Sequence, residues 1–159
     1  MSTLSNEYSG ALSEARALLA AHTNRDEALS ALCRFLAERF PRYSWVGFYI
    51  VEPGTTELVL GPFVGEPTEH VRIPFGRGIC GQAAERKETF VVQDVAQETN
   101  YLSCSPFVKS EIVIPVFADG AVAAELDIDS HLRGAFTPED RAFLEAVAEA
   151  AAPLFAGRS

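Results

Sequence analysis

The chain has 159 residues, of which 48% are hydrophobic and 22% charged, and these values are typical of one globular domain with a single core. No apolar run approaches the roughly 18 residues that a membrane-spanning helix needs, and the first residues lack the pattern of a signal peptide, so we expect a cytoplasmic protein. The formal net charge of −9 argues against nucleic acid as a partner, because phosphate binding relies on clustered Lys and Arg.

The cysteine content limits the kinds of site that the chain can carry. Three cysteines are present, an odd number, and no pair has Cys-x-x-Cys or another metal-type spacing. This pattern argues against a disulfide scaffold and a zinc site, so we expect no bound metal. We also expect no bound cofactor. Individual reactive thiols remain compatible with it.

Two helices are predicted at the start of the chain. Ala, Leu, Glu and Arg recur with helical spacing over residues 6–21 and 25–40, and both segments have an apolar side. Thr23 and Asp26 resemble a capping box ahead of the second helix. We therefore expect an amphipathic pair of helices.

The middle of the chain is predicted to be mostly strand. Residues 43–52 and 57–64 are rich in β-branched and aromatic side chains and are separated by a turn-like sequence, which predicts a hairpin. A glycine loop at 76–80 leads into a short helix, and a brief strand follows at 89–92. Residues 94–109 have no regular pattern and are predicted to be an irregular segment.

A second hairpin and a last helix complete the prediction. Strands are expected over 110–118 and 121–129, joined by the two-residue turn signal Asp119–Gly120. Thr137 supplies an N-cap for a helix that reaches about residue 155. Short connections favour antiparallel neighbours, so we expect one α+β domain over residues 1–159, with the terminal helices packed on one face of a central antiparallel sheet.

Two aromatic residues share one face of the first strand. The period of two places Trp45 and Tyr49 on the same side of the sheet, with Gly47 between them. They are interpreted either as ordinary core aromatics or as the wall of a pocket, and the strand alone favours the core.

Three carboxylates share one face of the last strand. Alternation places Glu125, Asp127 and Asp129 together, and Glu111 opens the strand before them. A solvated sheet face explains the pattern as well as a pocket does. In a pocket, these groups would raise one another's pKa and would suit a cationic ligand group or a proton donor. Glu111 is otherwise an exposed residue at a strand end.

The three cysteines differ in their surroundings. Cys33 belongs to an apolar helix face, which predicts a buried and inert thiol. Cys80 lies at the start of the short helix, where backbone N–H groups and the helix dipole can stabilise a thiolate. Cys104 lies in the irregular segment, which can approach a site as a flap. The histidines His22, His70 and His131 have no ligand spacing and are interpreted as surface or capping residues.

Several segments together resemble a known family. They are residues 45–49, 58–63, 71–81 with the glycine-loop cysteine, 110–115 with Ser-Glu-Ile-Val, 126–130 with Leu-Asp-Ile-Asp-Ser, and 136–140. In this order, over about residues 40–145, they resemble the free methionine-(R)-sulfoxide reductases, which are stand-alone GAF domains with a PAS-like fold.

The resemblance implies a role for each candidate residue. Cys104 matches the cysteine that attacks the sulfoxide, and Cys80 matches a second redox cysteine. Side chains that would bind the substrate are the aromatic residues Trp45 and Tyr49 and the acidic residues Glu111, Asp127 and Asp129. The family commonly has a third redox cysteine where this chain has His70.

Two functions follow as hypotheses. The resemblance implies a reductase that converts free methionine (R)-sulfoxide to methionine through a cysteine sulfenic acid and a disulfide, with thioredoxin or another thiol as the external reductant. A homodimer is consistent with the resemblance. The alternative is a GAF domain that senses a small molecule or an oxidant without turnover, in which His70 marks a lost catalytic cycle.

Overall fold

The computed structural model describes residues 4–102 and 105–157. The principal elements of this part of the chain are α1 (Asn6–Ala20), α2 (Arg25–Arg39), β1 (Trp45–Val51), β2 (Glu57–Val64), β3 (Arg72–Pro74), α3 (Gly78–Arg86), β4 (Phe90–Val92), β5 (Ser110–Ala118), β6 (Ala121–Ser130) and α4 (Pro138–Ala151). Short 3-10 helices occur at Val95–Gln97 and Ala152–Phe155. Among these described elements, none is a helix with the length and apolar content needed to cross a bilayer.

The strands form one six-stranded sheet in the order β3-β2-β1-β6-β5-β4. Every neighbouring pair is antiparallel, and the long strands β2, β1, β6 and β5 lie between the two short edge strands β3 and β4. Short connections place β1 beside β2 and β5 beside β6, as predicted from the two hairpin patterns. At the turn of the second hairpin, Asp119 and Gly120 both have positive φ, of 54° and 80°, as a type I′ turn requires.

One face of the sheet carries the main hydrophobic core. Alternate residues of the central strands, such as Phe48, Ile114 and Leu126, point to this face and are fully buried. Apolar sides of α1, α2 and α4 pack over them. The predicted arrangement, in which the terminal helices cover one face of an antiparallel sheet, is confirmed.

The other face of the sheet packs against the short helix α3. Apolar residues of this second cluster, including Ile79 and Ala83 from α3 and Val113 from β5, occupy only part of the face. The same side of β1 and β6 also carries the aromatic residues Trp45 and Tyr49 and the acidic residues Glu125, Asp127 and Asp129. This face of the sheet therefore buries acidic side chains as well as apolar ones.

The two predicted helix caps have different outcomes. The last helix begins as predicted, because Thr137 and Asp140 form a reciprocal capping box with Pro138 inside the first turn. The second helix does not use Thr23 and Asp26. Its N-cap is Asn24, whose side chain accepts a hydrogen bond of 2.9 Å from the backbone N–H of Glu27.

A buried aspartate joins the helical layer to the start of the sheet. Asp140 accepts hydrogen bonds from the hydroxyls of Tyr8, at 3.0 Å, and Tyr43, at 2.5 Å, and it forms an ion pair with Arg42. Burial raises the pKa of Asp140, but hydrogen bonds from Tyr43 and Thr137 and the charge of Arg42 outweigh it and hold the pKa below its ordinary value. The carboxylate is thus charged and fully partnered.

Candidate functional site

A row of carboxyl groups on β6 forms the floor of the site. Glu125, Asp127 and Asp129 alternate on the face that α3 covers, and their exposed fractions are 0%, 1% and 1%. Glu111, which pairs with Asp129 across the β5–β6 ladder, is also buried, at 5% exposure. The interpretation of these carboxylates as a solvated sheet face, and of Glu111 as an exposed strand end, is therefore wrong.

Trp45 and Tyr49 form the aromatic wall beside this floor. Their rings stack with centroids 6.3 Å apart. The Trp45 indole N–H donates a 3.0 Å hydrogen bond to the carbonyl of Glu66, and the Tyr49 hydroxyl donates a 2.8 Å hydrogen bond to the carbonyl of His70. Both aromatic side chains therefore fasten the β2–β3 connection over the site.

Gly47 makes room for the aromatic wall. A Cβ atom at this position would lie 2.5 Å from the Trp45 ring and 2.7 Å from the Cβ of Phe63. Because Gly47 pairs with Asp127 across the β1–β6 ladder, β1 contributes no side chain opposite that carboxyl group. The glycine thus allows the indole to lie across β1 and leaves space above Asp127.

Cys80 lies in the first turn of α3, buried against the acidic floor. Burial raises the pKa of its thiol well above the ordinary value, and the charges of Asp127 and Glu111 raise it further. The expectation that the helix start stabilises a thiolate at Cys80 is wrong for this state of the protein. Burial and the adjacent carboxyl groups favour the protonated thiol, whereas a helix start alone would favour the thiolate.

Asp127 connects the thiol to the acidic cluster. Its side chain is hydrogen-bonded to Glu111 and to Cys80, and burial still raises the pKa of Asp127 above its ordinary value. Two carboxyl groups can share a hydrogen bond only when one of them carries a proton. The cluster therefore holds an acidic proton inside the site.

Glu125 is the deepest acidic residue of the row. Both of its carboxyl oxygens are buried without a hydrogen-bond partner among the described residues. Burial first, and then the charge of Asp127, raise the pKa of Glu125 well above its ordinary value. Both effects favour the protonated, neutral form of this carboxyl group.

Two cavities lie along the carboxyl row. The inner cavity has a volume of about 10 Å³ and is lined by Tyr49, His70, Ile73, Arg77, Gly78, Ile79, Cys80, Leu102, Glu111 and Asp127. The outer cavity has a volume of about 210 Å³ and is lined by Ser44, Trp45, Gly65, Glu66, Ser105, Val108, Asp129 and His131. The outer cavity suits a compact ligand, since small-molecule pockets commonly begin near ~300 Å³.

Cys104 lies outside the described residues, and its predicted role stays a prediction. The nearest described residues in the sequence, Leu102 and Ser105, line the inner and the outer cavity respectively. Asn100 fastens the chain just before them: its side chain accepts a 2.9 Å hydrogen bond from the N–H of Gly78 and donates one of 2.8 Å to the carbonyl of Gly76.

The remaining cysteine is far from this chemistry. Cys33 lies on α2, in the core on the opposite face of the sheet, where burial raises the pKa of its thiol to about 12. The prediction of a buried, inert thiol is confirmed.

Sequence reasoning missed two participants, His70 and Asn100. His70 was interpreted as a surface or capping residue, yet it lines the inner cavity beside Cys80. Its place at a position where the resembling family commonly has cysteine was the available signal. Asn100 gave no signal, because its role depends on the folded path of an irregular segment.

Comparison with known proteins identifies the family. Residues 22–156 match the model of the GAF domain. The chain is 40% identical over 124 residues to the free methionine-R-sulfoxide reductase of Escherichia coli strain K12, covering 78% of this chain and 73% of that protein. The chain belongs to the GAF-domain family of free methionine-R-sulfoxide reductases. The recognition made from the sequence motifs is confirmed.

Solved structures agree with membership of this reductase family. The free methionine-R-sulfoxide reductase from Neisseria meningitidis in complex with its substrate superposes with a TM-score of 0.89 at 36% identity, over 98% of this chain and 93% of that one. A putative GAF sensor protein from Burkholderia vietnamiensis superposes with a TM-score of 0.87 at 34% identity, over 95% and 94%. The fold predicted as GAF-like is confirmed along nearly the whole chain.

Proposed function

We propose that this protein reduces free methionine (R)-sulfoxide to methionine by thiol chemistry, with Cys104 as the attacking nucleophile and Cys80 as the thiol that resolves it. The observation that carries the proposal is the buried row of carboxyl groups, which faces an aromatic wall and contacts the Cys80 thiol. The relatives named for this activity support it.

The carboxyl groups select a free amino acid. An α-ammonium group carries the positive charge that Glu111, Asp127 and Asp129 would balance, and a peptide nitrogen has no such charge. Trp45 and Tyr49 supply apolar ring surface for the side chain of the substrate. Because the carboxyl groups need a charged ammonium partner, the site should prefer the free amino acid over a methionine sulfoxide residue within a protein.

The chemical step needs a nucleophile and an acid. The Cys104 thiolate attacks the electrophilic sulfur of the sulfoxide, while a protonated carboxyl group at Asp127 or Asp129 donates a proton to the sulfoxide oxygen. The protonated oxygen then transfers from the substrate sulfur to the Cys104 sulfur, as the sulfur–oxygen bond of the substrate and the transient sulfur–sulfur bond both break. Methionine leaves with the electron pair of the latter bond, and Cys104 becomes a sulfenic acid. The raised pKa of Asp127, caused by burial, favours the protonated form that such a proton donor requires.

The second thiol closes the catalytic cycle. Cys80 condenses with the sulfenic acid at Cys104, which forms a disulfide and releases water. The raised pKa of the Cys80 thiol favours its protonated form, which is a poor nucleophile toward the sulfoxide. This property suits a resolving cysteine better than an attacking one.

An external thiol must then reduce the disulfide. Thioredoxin is the proposed donor, by exchange through a mixed disulfide, with another small thiol as the alternative. Because His70 stands where the family commonly has a further redox cysteine, Cys80 alone would carry resolution inside this chain. The proposed compartment is the cytoplasm, where such donors keep thiols reduced, and the proposed assembly is a homodimer.

The deciding experiment measures conversion of each purified epimer of free methionine sulfoxide to methionine, with dithiothreitol and with thioredoxin. We expect turnover of the R epimer, its loss in Cys104→Ser, and selective loss of thioredoxin-supported turnover in Cys80→Ser. Cys33→Ser is the matched control and should retain activity, because Cys33 lies on the opposite face of the sheet.

Two outcomes of this experiment would contradict the proposal. Full activity in Cys104→Ser would falsify the assigned nucleophile. Absence of turnover with both reductants, together with thermal stabilisation of the protein by methionine sulfoxide, would identify a sensor domain instead.

A further inference from the structure

Cys80, Glu111 and Asp127 bring three metal-binding side chains to one point of the inner cavity. They come from α3, β5 and β6, and each offers one ligand atom: the Cys80 Sγ and a carboxylate oxygen from each acid. These atoms all lie within 4.8 Å of one another, and all three residues are buried. The cavity of about 10 Å³ has room for one species no larger than a water molecule.

A second observation shows that the site has unused acceptor capacity. One carboxyl oxygen of Asp127, Oδ1, is buried and has no hydrogen-bond partner among the described residues. The neighbouring Glu125 on the same strand has two further buried oxygens without a hydrogen-bond partner among the described residues. Buried acceptors normally have a donor or an ion as partner, so these oxygens require one. A cation in the inner cavity, which Asp127 lines, would supply the missing partner of Asp127 Oδ1.

The ligand types identify the class of cation. Zn²⁺ accepts thiolate and carboxylate ligands together, whereas Mg²⁺ and Ca²⁺ take oxygen ligands almost entirely. His70 lines the same cavity and carries a further donor type that zinc accepts.

We propose that Cys80, Glu111 and Asp127 bind one divalent cation of the zinc type in the reduced protein. On binding, the Cys80 thiol and the hydrogen-bonded carboxyl pair each release a proton to solvent, so that two positive charges leave as two arrive. No electron is transferred. The cation is not needed for the proposed sulfoxide reduction, because that reaction uses the same residues without a metal.

Cation binding has a consequence for the activity, and this part rests on the proposed function. The cation would occupy the carboxyl groups of Glu111 and Asp127, which are proposed to balance the substrate ammonium group. It would also hold the Cys80 sulfur away from a sulfenic acid. Zinc should therefore inhibit turnover, raise the KM for methionine sulfoxide, and be reversed by a chelator.

The binding test uses the full chain, reduced and freed of metal by a chelator. Zn²⁺ is titrated calorimetrically, and Cd²⁺ is titrated while the ultraviolet charge-transfer band of a cadmium–thiolate bond is followed. We expect one equivalent of each cation to bind. The band should vanish in Cys80→Ser, and Asp127→Asn should weaken Zn²⁺ binding at least tenfold, or about 1.4 kcal/mol.

Two controls keep the test decisive. Cys33→Ser removes a buried thiol outside the cavity and should retain both the band and the affinity. Circular dichroism establishes that each variant is folded, and Glu111→Gln replaces Cys80→Ser as the deciding variant if the latter is not. An undiminished band in folded Cys80→Ser, or unchanged affinity in both acid variants, would overturn the proposal. Binding in a protein without reductase activity would leave the cation site standing and remove only the proposed catalytic function.

Discussion

At the scale of single residues, burial decides the chemistry of the carboxyl row. Glu125, Asp127 and Asp129 share one face by strand alternation alone, but their protonation depends on the desolvation that α3 imposes. The same burial raises the pKa of Cys80. The alternation of acidic residues is thus visible in the local sequence, but the raised pKa values of these groups depend on tertiary packing.

A substitution at Glu125 tests this view of the buried acid. Its pKa is raised in the folded state, so its contribution to stability is fully present below the unfolded value, near 4.5, and is lost as the pH rises toward the folded value. The Glu125→Gln variant keeps the shape and cannot ionise. The free energy of unfolding of the wild type, relative to this variant, should fall as the pH is raised from about 4 to about 8.

Urea unfolding across this pH range provides the measurement. The exposed Glu38→Gln variant supplies the baseline for removing a solvated carboxylate. A difference between wild type and Glu125→Gln that stays constant with pH would show that Glu125 ionises in the folded protein as it does in the unfolded chain.

At the scale of elements, three connections surround the site and are fastened to it by hydrogen bonds. Trp45 and Tyr49 hold the β2–β3 connection, while Asn100 holds the segment between β4 and β5 against the glycine loop before α3. These bonds join irregular backbone to regular elements. They hold in place Glu66, His70 and Gly78, which line the two cavities.

The Asn100→Ala variant removes both side-chain hydrogen bonds to the glycine loop. The expected cost is about 1–3 kcal/mol, and it should appear as faster amide hydrogen exchange in the segment between β4 and β5. If the proposed function holds, kcat/KM should fall about tenfold, because the neighbouring Leu102 and Ser105 line the cavities.

Asn24→Ala is a matched control for this change. It removes the N-cap of α2 on the opposite side of the sheet and should cost about 1 kcal/mol of stability without altering kcat/KM. Equal losses of activity in the two variants would assign the effect to general stability rather than to the position of the segment.

At the scale of the whole molecule, the layers are joined by charge as well as by apolar packing. Asp140 at the start of α4 connects α1, through Tyr8, with the approach to β1, through Arg42 and Tyr43. Aromatic rings pack around the cluster, with Tyr8 and Phe40 stacked at 5.5 Å. This cluster fixes the terminal helices to the sheet far from the acidic site.

The Asp140→Asn variant should lower the free energy of unfolding by about 3 kcal/mol, because it leaves the Arg42 charge and two tyrosine hydroxyls without their carboxylate. The pKa of Asp140 is lowered by folding, so its contribution is present above the unfolded value, near 3.8, and is lost as the pH falls through the folded value. The stability difference between wild type and variant should shrink in acid.

Chemical denaturation at neutral and acidic pH measures this difference. Glu139→Gln, one residue earlier, is the control, because Glu139 accepts only an exposed backbone hydrogen bond from Ser5 among the contacts described for it. A loss as large in Glu139→Gln would mean that charge near the helix start, rather than the buried cluster, stabilises α4.

Much of this architecture could be predicted from the sequence because its signals are local. The turn Asp119–Gly120 and the cap at Thr137 were each predicted from adjacent residues and are confirmed. The start of α2 was not, because Thr23 and Asn24 are both good caps and only the folded chain selects one. Local patterns predict which elements form, but they do not decide between two adjacent residues that could each cap a helix.

The site was less predictable for a related reason. Alternation placed Glu125, Asp127 and Asp129 on one face, but whether that face meets water or α3 is a tertiary property. Cys80 and Glu111 come from separate elements, and no spacing along the chain predicts that they lie close together. Similarity to a family supplied what local reasoning could not.

The buried carboxyl row also affects how this protein would respond to directed evolution. Buried carboxyl oxygens without hydrogen-bond partners oppose folding, so an experiment that selects only for heat tolerance should readily accept amide or apolar replacements at Glu125, and amide replacement at Asp127, whose Oδ1 has no described partner. Such replacements would accumulate as gains in melting temperature while the proposed activity declines. In a library screened for thermal stability alone, the positions that accept such replacements would therefore mark the carboxyl row, at the cost of the proposed activity.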